Sequence, residues 1–272
     1  MLSLAGLATA AAVLPLLWIL GYVARQGASA LSLDFFTHLP TPVGVPGGGI
    51  LNAIVGSGLT VGLGLLMAAP VALLAAIYIA AHPNTALGLG LRFATDVVSG
   101  VPSIVMGIFA YTLIVLPQRH FSALAGGAAL GFIMLPVILR TTEEMLRLVP
   151  SSLREGSLAL GAPSWRTYLS VVVPAAGHGL LTGVMLAIAR AAGEAAPMLF
   201  TAFGNPFLSA DVNGPVATLP HTIFVYAVSP YDDWRAKAWA TALVLIALVL
   251  ALNATARLLV AWRARRLGTV TS

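Results

Sequence analysis

Long apolar runs, broken by only a few polar positions, recur along this chain at the length of membrane-crossing helices. Six stretches, near residues 4–23, 52–80, 98–117, 121–139, 178–201 and 238–260, are each close to the roughly 20 helical residues that cross a hydrocarbon core of about 30 Å. The second run is long and contains Pro70, which predicts a kink. The third and fourth are separated by little more than Gln118, Arg119 and His120, so a tight antiparallel hairpin is expected there. Two longer polar segments, about 24–50 and 202–237, are rich in Pro and Gly, and Ile223 to Val228 in the second reads as a short interfacial helix. The pairs Gly58/Gly62, Gly127/Gly131 and Gly179/Gly183 have the spacing at which two helix backbones can approach closely.

Composition agrees with an all-α polytopic membrane protein. Of 272 residues, 59% are hydrophobic and 8% charged. A soluble chain of this length carries roughly 68 charges. The mean hydropathy is +0.95 and the isoelectric point about 10.1. The net charge of +5 comes from 13 Arg and one Lys against 9 acidic residues. With an inner N-terminus, nine basic residues (Arg92, Arg140, Arg147, Arg154, Arg166, Arg257, Arg263, Arg265, Arg266) fall on one side. Four (Arg25, Arg119, Arg235, Lys237) fall on the other. Both termini are therefore expected in the cytoplasm. The first run lacks a basic n-region and continues through Val23, so it reads as a retained span rather than a signal peptide.

Several chemistries are excluded. Cysteine is absent, which removes disulfides and thiolate sites. The only lysine, Lys237, follows Ala236, so no phosphate-binding Walker loop exists and the chain does not itself hydrolyse ATP. The five histidines are scattered, no H-E-x-x-H occurs, and no G-x-S-x-G elbow is present. No catalytic residue, metal or cofactor is expected.

The segment 140–177 is the longest inner loop. Ser152 is placed to cap a short helix with Glu155 at the third position, and Gly161 to end it; Pro163 can open the next helix. Glu155-Gly156-Ser157, three residues, Gly161, nine residues and Val171-Val172-Val173-Pro174 resemble the EAA loop of bacterial ABC importer permeases. Gly156 and Ser157 stand for its two alanines, and Val171 and Val173 for its Ile and Leu. The resemblance implies a type I (MetI-like) permease of six transmembrane helices whose short coupling helix docks on a cytoplasmic ATPase. Carried over, it places Glu155, Gly156, Ser157 and Gly161 at the docking site, flanked by Arg154 and Arg166.

Leu135-Pro136, Arg140 to Glu144, Leu148-Val149-Pro150, Gly47 to Ile50, Asn52 to Gly56, Val101 to Val105 and Ala189 to Pro197 with Leu199 to Ala202 narrow the likeness. They resemble the permease subunits of phosphate-specific ABC importers, PstA type, over roughly residues 33–262. The implied organisation is a single permease domain, 1–272, with a first helix at 4–23, a core at 50–261 and the coupling loop at 140–177. The implied partners are a second homologous permease, a cytoplasmic ATPase dimer and a periplasmic or lipid-anchored phosphate-binding protein. ATP binding would close the ATPase and turn the cavity outward, with hydrolysis resetting it. A permease for another oxyanion, sulfate or molybdate, is the nearest rival. An ATP-independent channel or secondary transporter is the rival of a different class.

Arg190 and Glu194 lie in the otherwise apolar fifth run, where a lone Arg at the bilayer centre costs roughly 3 to over 10 kcal/mol. At i and i+4 they would share one helix face, either as a mutual ion pair or as a polar element of the solute pathway. Phosphate near neutral pH carries about one to two negative charges, which suits a guanidinium fork. Glu194 would hold the guanidinium or accept the proton that phosphate retains. Ser103 and Thr201 are further pathway candidates through their hydroxyls.

Overall fold

The computed structural model describes residues 2–266, and the side chains of Arg263, Arg265 and Arg266, counted in the charge asymmetry, lie outside the described residues. Among the described residues it is helical, with one isolated bridge between Phe203 and Val216. Four helices are individually long and apolar enough to cross a membrane: α1 (Leu2–Ala28), α3 (Leu51–Ala81), α6 (Ala123–Arg147) and α12 (Asp232–Arg266). Two bent pairs, each counted as one span, would bring the crossings among the described residues to six. One is α4 (Ala86–Gly100) with α5 (Ser103–Gln118), at 104°; the other is α8 (Ser164–Ala175) with α9 (Gly177–Ala192), at 73°. The remaining helices are short: α2 (Leu33–Thr37), α7 (Ser151–Ala159), α10 (Ala196–Thr201) and α11 (Leu219–Ala227).

The expected third and fifth spans are thus corrected. The third does not run unbroken from 98, because Pro102 cannot donate to the preceding turn and restricts Val101 to extended backbone. The fifth stops at Ala192. Gly193 and Glu194 close its end with short bonds back to Arg190 and Ala191 (3.2 and 3.1 Å), and Pro197 opens α10 beyond the gap. The 16-residue α9 therefore reaches only about 24 Å. Within α5 and α8, the stretches Tyr111–Val115 and Tyr168–Val172 widen to π-helix, each ending two residues before a proline, Pro117 or Pro174. The missing proline N–H strands a carbonyl four residues earlier, and a wider turn accommodates it. Pro70, by contrast, lies within a continuous α3.

The centre of the bundle is α6, with 72% of its most apolar window buried against 11% for α1 and 17% for α12. It packs along α3 through glycine contact. A Cβ on Gly127 would stand 2.6 Å from Leu63 Cβ, and one on Gly64 would stand 2.9 Å from the Gly127 carbonyl. Of the spaced pairs, Gly127/Gly131 faces α3, and Gly179/Gly183 of α9 faces Met145 and Thr141 of α6. Among the described residues, a Cβ at Gly58 or Gly62 would meet nothing within 4 Å, so that pair packs against none of them. The surrounding core is Ala68, Ala72, Ile79, Leu130, Met134, Ile138 and Met198.

Among the described residues, two ion pairs tie α4 to α6. Arg92 Nε lies 2.7 Å from Glu143 Oε1, and Asp96 pairs with Arg140. Glu143 is buried, and Arg147, one turn along α6, also reaches it at 2.7 Å. On the opposite side, Asn52 Nδ2 donates to the Asn205 carbonyl (2.6 Å), and the Leu219 amide donates to Ser57 Oγ (2.7 Å). These bonds seat the 202–219 segment on α3. The short helix expected at Ile223 to Val228 forms as α11, beginning four residues earlier.

Candidate transport site and coupling surface

Arg190 occupies the last turn of α9, where the helix dipole favours a cation. Its side chain is exposed and, among the described residues, has no ion-pair or hydrogen-bond partner. With Arg140 and Thr141 of α6, Ser99 of α4 and Ser103 of α5, it lines a cavity of about 260 Å³. That is far above the ~10–15 Å³ a single water needs. Apolar walls come from Val98, Val101, Met106, Ile133, Pro136 and Val137.

The hydroxyls there differ in what they have left to give. Ser99 Oγ donates to the Thr95 carbonyl (2.8 Å) and Thr141 Oγ1 to that of Val137 (2.8 Å). Ser103 Oγ has no bond among the described residues, so its proton is available to an acceptor in the cavity. It also stands in the first turn of α5, where N–H groups lack helical acceptors. Two guanidinium groups and a free hydroxyl around one apolar-walled space can hold an oxyanion by charge-assisted hydrogen bonds.

The structure brings Arg190 and Ser103 together, but it does not place Glu194 or Thr201 with them. Glu194 lies in the gap after α9, half-buried, and does not share a helix face with Arg190; the expected mutual ion pair is absent among the described residues. The helix break at Gly193 is the reason. Thr201 is buried in α10, with its hydroxyl donating to the Pro197 carbonyl at 2.8 Å. Arg140 was missed as a cavity residue, because in sequence it reads as the first charge of a cytoplasmic loop. Its placement one turn before Glu144, at the end of an apolar run, was the available signal.

The short helix expected in the 140–177 loop forms as α7, with its start two residues earlier than the Ser152 cap implied. Pro150 takes the cap position without a side-chain bond, so the Ser152/Glu155 capping box does not form. Its far end closes as a Schellman motif. Gly161 adopts φ +83° and its amide bonds to the Leu158 carbonyl (2.9 Å), while Ala162 bonds to Ser157 (3.3 Å). Pro163 then caps α8.

Arg154, Glu155, Gly156 and Arg166 are exposed. Arg154 donates to the Tyr168 hydroxyl (3.3 Å), which donates to the Ala80 carbonyl at the end of α3 (3.0 Å). Ser157 and Thr167 hydroxyls meet at 2.9 Å. The surface also exposes Leu148, Leu153, Leu158, Leu160 (91% exposed) and Trp165, apolar residues to which the sequence reading gave no docking role. A short apolar residue among charges carries no periodic signal, so only the folded loop reveals the patch.

The family model for the inner membrane component of binding-protein-dependent transport systems matches residues 61–268. The chain belongs to that family. The permease is 44% identical over 247 residues to a phosphate transport system permease protein PstA of Yersinia pestis, covering 90% of this chain and 84% of the relative. It is 44% identical over 244 residues to the PstA protein of Haemophilus influenzae, covering 89% and 86%. Against PstA 1 of Mycobacterium tuberculosis the identity is 37% over 266 residues, covering 94% and 85%. The fold matches the inward-facing MetNI methionine ABC transporter at a TM-score of 0.60 and 17% identity, covering 78% of this permease and 93% of that chain. It is a multi-pass membrane permease subunit of the MetI-like kind.

Proposed function

We propose that this chain is one of two permease subunits in an ATP-driven importer of inorganic phosphate, lining half of the pathway and leaving ATP hydrolysis to a separate subunit. The carrying observation is 44% identity across 90% of the chain to a permease of the phosphate transport system. The site chemistry is consistent with that substrate. Arg190, Arg140 and Ser103 supply donors to an oxyanion in the cavity, while Glu194 in the helix break and Thr201 of α10 stand outside its lining and would meet solute elsewhere along the pathway. Strong permanent binding would slow release, so the contacts are transient and selectivity lies upstream with a phosphate-binding protein.

The whole chain acts as a single permease domain in the bacterial inner membrane with both termini cytoplasmic, the orientation that the arginine asymmetry favours. Its partners are a second homologous permease, an ATPase dimer and the periplasmic or lipid-anchored binding protein. The ATPase docks on α7 through Arg154, Glu155, Gly156, Ser157, Gly161 and Arg166, and its closure on ATP moves that helix.

The test is labelled-phosphate uptake into proteoliposomes holding the complex, with and without ATP, with sulfate as competitor. ATP-dependent, sulfate-insensitive uptake is expected. ATP-driven uptake of sulfate instead keeps the permease and removes the substrate; uptake by this chain alone without ATP removes the ABC mechanism.

A further inference from the structure

We propose that Asp96 limits how long an oxyanion stays in the cavity, by competing with it for the Arg140 guanidinium. The inference rests on the phosphate-importer reading and concerns a residue that does not itself line the cavity. Helices α4 and α6 are joined by two ion pairs of opposite polarity. Arg92 of α4 reaches Glu143 of α6, and Asp96 of α4 accepts from Arg140 of α6.

The two pairs differ in exposure. The Glu143 side chain is 4% exposed and held by both Arg92 and Arg147 at 2.7 Å, which makes it a fixed anchor. Asp96 and Arg140 are 56% and 40% exposed, so water and ions reach them and the pair can open and close. Arg140 is also a wall of the cavity, across which Arg190 has no counterion among the described residues.

The cavity therefore faces two guanidinium groups, only one of them neutralised. A carboxylate and a phosphate oxygen make the same charge-assisted contact with a guanidinium. An anion engaging both arginines must share or displace Asp96, and the return of Asp96 drives it off. With Arg92–Glu143 holding α4 in place, Asp96 stays within reach throughout. It is a positioning residue, acting on the solute through Arg140, and it keeps a doubly cationic site from becoming a trap.

The experiment compares wild type, Asp96→Asn and Asp96→Glu in the assembled complex. Labelled-phosphate binding is measured in detergent without the binding protein, and ATP-driven uptake is measured in proteoliposomes. Asp96→Asn is expected to lower the Kd for phosphate about three- to tenfold, the scale for losing one nearby, partly exposed charge. Turnover falls by a similar factor with subunit assembly unchanged, and Asp96→Glu restores both. A Kd unchanged or raised in the Asn variant overturns the proposal, as does lost turnover without tighter binding. If the Asn chain fails to assemble, Asp96→Ser is read in the same way. Should the wild-type complex transport sulfate and not phosphate, the substrate reading falls, and the same comparison with labelled sulfate decides the role of Asp96.

Discussion

Arg190 ends α9 with an exposed guanidinium and no partner among the described residues, while Arg140, across the same cavity, is held by Asp96. A planar fork engages two oxygens of one anion, whereas an ammonium offers a point charge. Arg190→Lys is therefore expected to reduce ATP-driven phosphate uptake about tenfold, the loss of one charge-assisted hydrogen bond worth about 1.5 kcal/mol. Uptake at the wild-type rate would mean that the fork does not touch solute. The identity of Arg190 as an unusual charge was legible in the sequence, because an arginine inside an apolar run has few acceptable surroundings. Its relation to Glu194 was not. Residues at i and i+4 share a face only if the helix continues, and Gly193 with Pro197 ends it.

Two contacts set how the elements sit on one another. Along α3 and α6, glycines let the backbones meet, and the cavity is carved beside that contact by α4, α5 and α9. Gly127→Val places a side chain where Leu63 already stands and is expected to destabilise the detergent-solubilised chain by about 1–3 kcal/mol. Gly62→Val, with open space around it, is expected to change stability by no more than about 0.5 kcal/mol in the same thermal melt. Equal losses in both would mean that the close contact of Gly127 with α3 is not what sets the cost. Between α4 and α6, Glu143 is buried against Arg92 and Arg147. Glu143→Ala leaves Arg92 without its carboxylate and is expected to cost about 3 kcal/mol, seen as a lowered melting temperature. A melting temperature unchanged within error would show the clasp to be dispensable. Only one of the three glycine pairs read from the sequence proved silent within this chain, Gly58/Gly62; spacing identifies which glycines can meet a helix, not which helix is there.

Across the whole molecule, the peripheral helices α1 and α12 expose apolar surface as lipid-facing elements do, and they meet each other at Tyr22 and Trp239, ring centroids 5.3 Å apart. In the 140–177 loop, Leu160 at the end of α7 is almost fully exposed, and Trp165 of α8 is exposed as well. If the ATPase docks there as proposed, burying this exposed apolar area favours the complex. Leu160→Asp is expected to reduce co-purification of the ATPase, with an affinity loss of about tenfold, while the melting temperature of the permease alone is unchanged. Retention of the ATPase at the wild-type level would move the docking energy to the charged residues of α7.

The sequence by itself determined the class of molecule and most of its helices. Apolar length and scarce charge admit a bilayer and little else, and local chemistry sufficed for the Gly161 helix stop, where only a residue at ease with positive φ closes the motif. The turns of the 140–177 loop were likewise readable, since they are a string of local signals. Tertiary structure alone decided where α5 and α9 begin and end. It also paired Asp96 with Arg140 across 44 positions and brought Arg140 to Arg190 across 50. Those relations depend on how prolines and glycines bend helices into one another, and on which distant charges then become neighbours. Hydrophobic periodicity reports whether a face is buried; it contains no information about what lies on the other side of the contact.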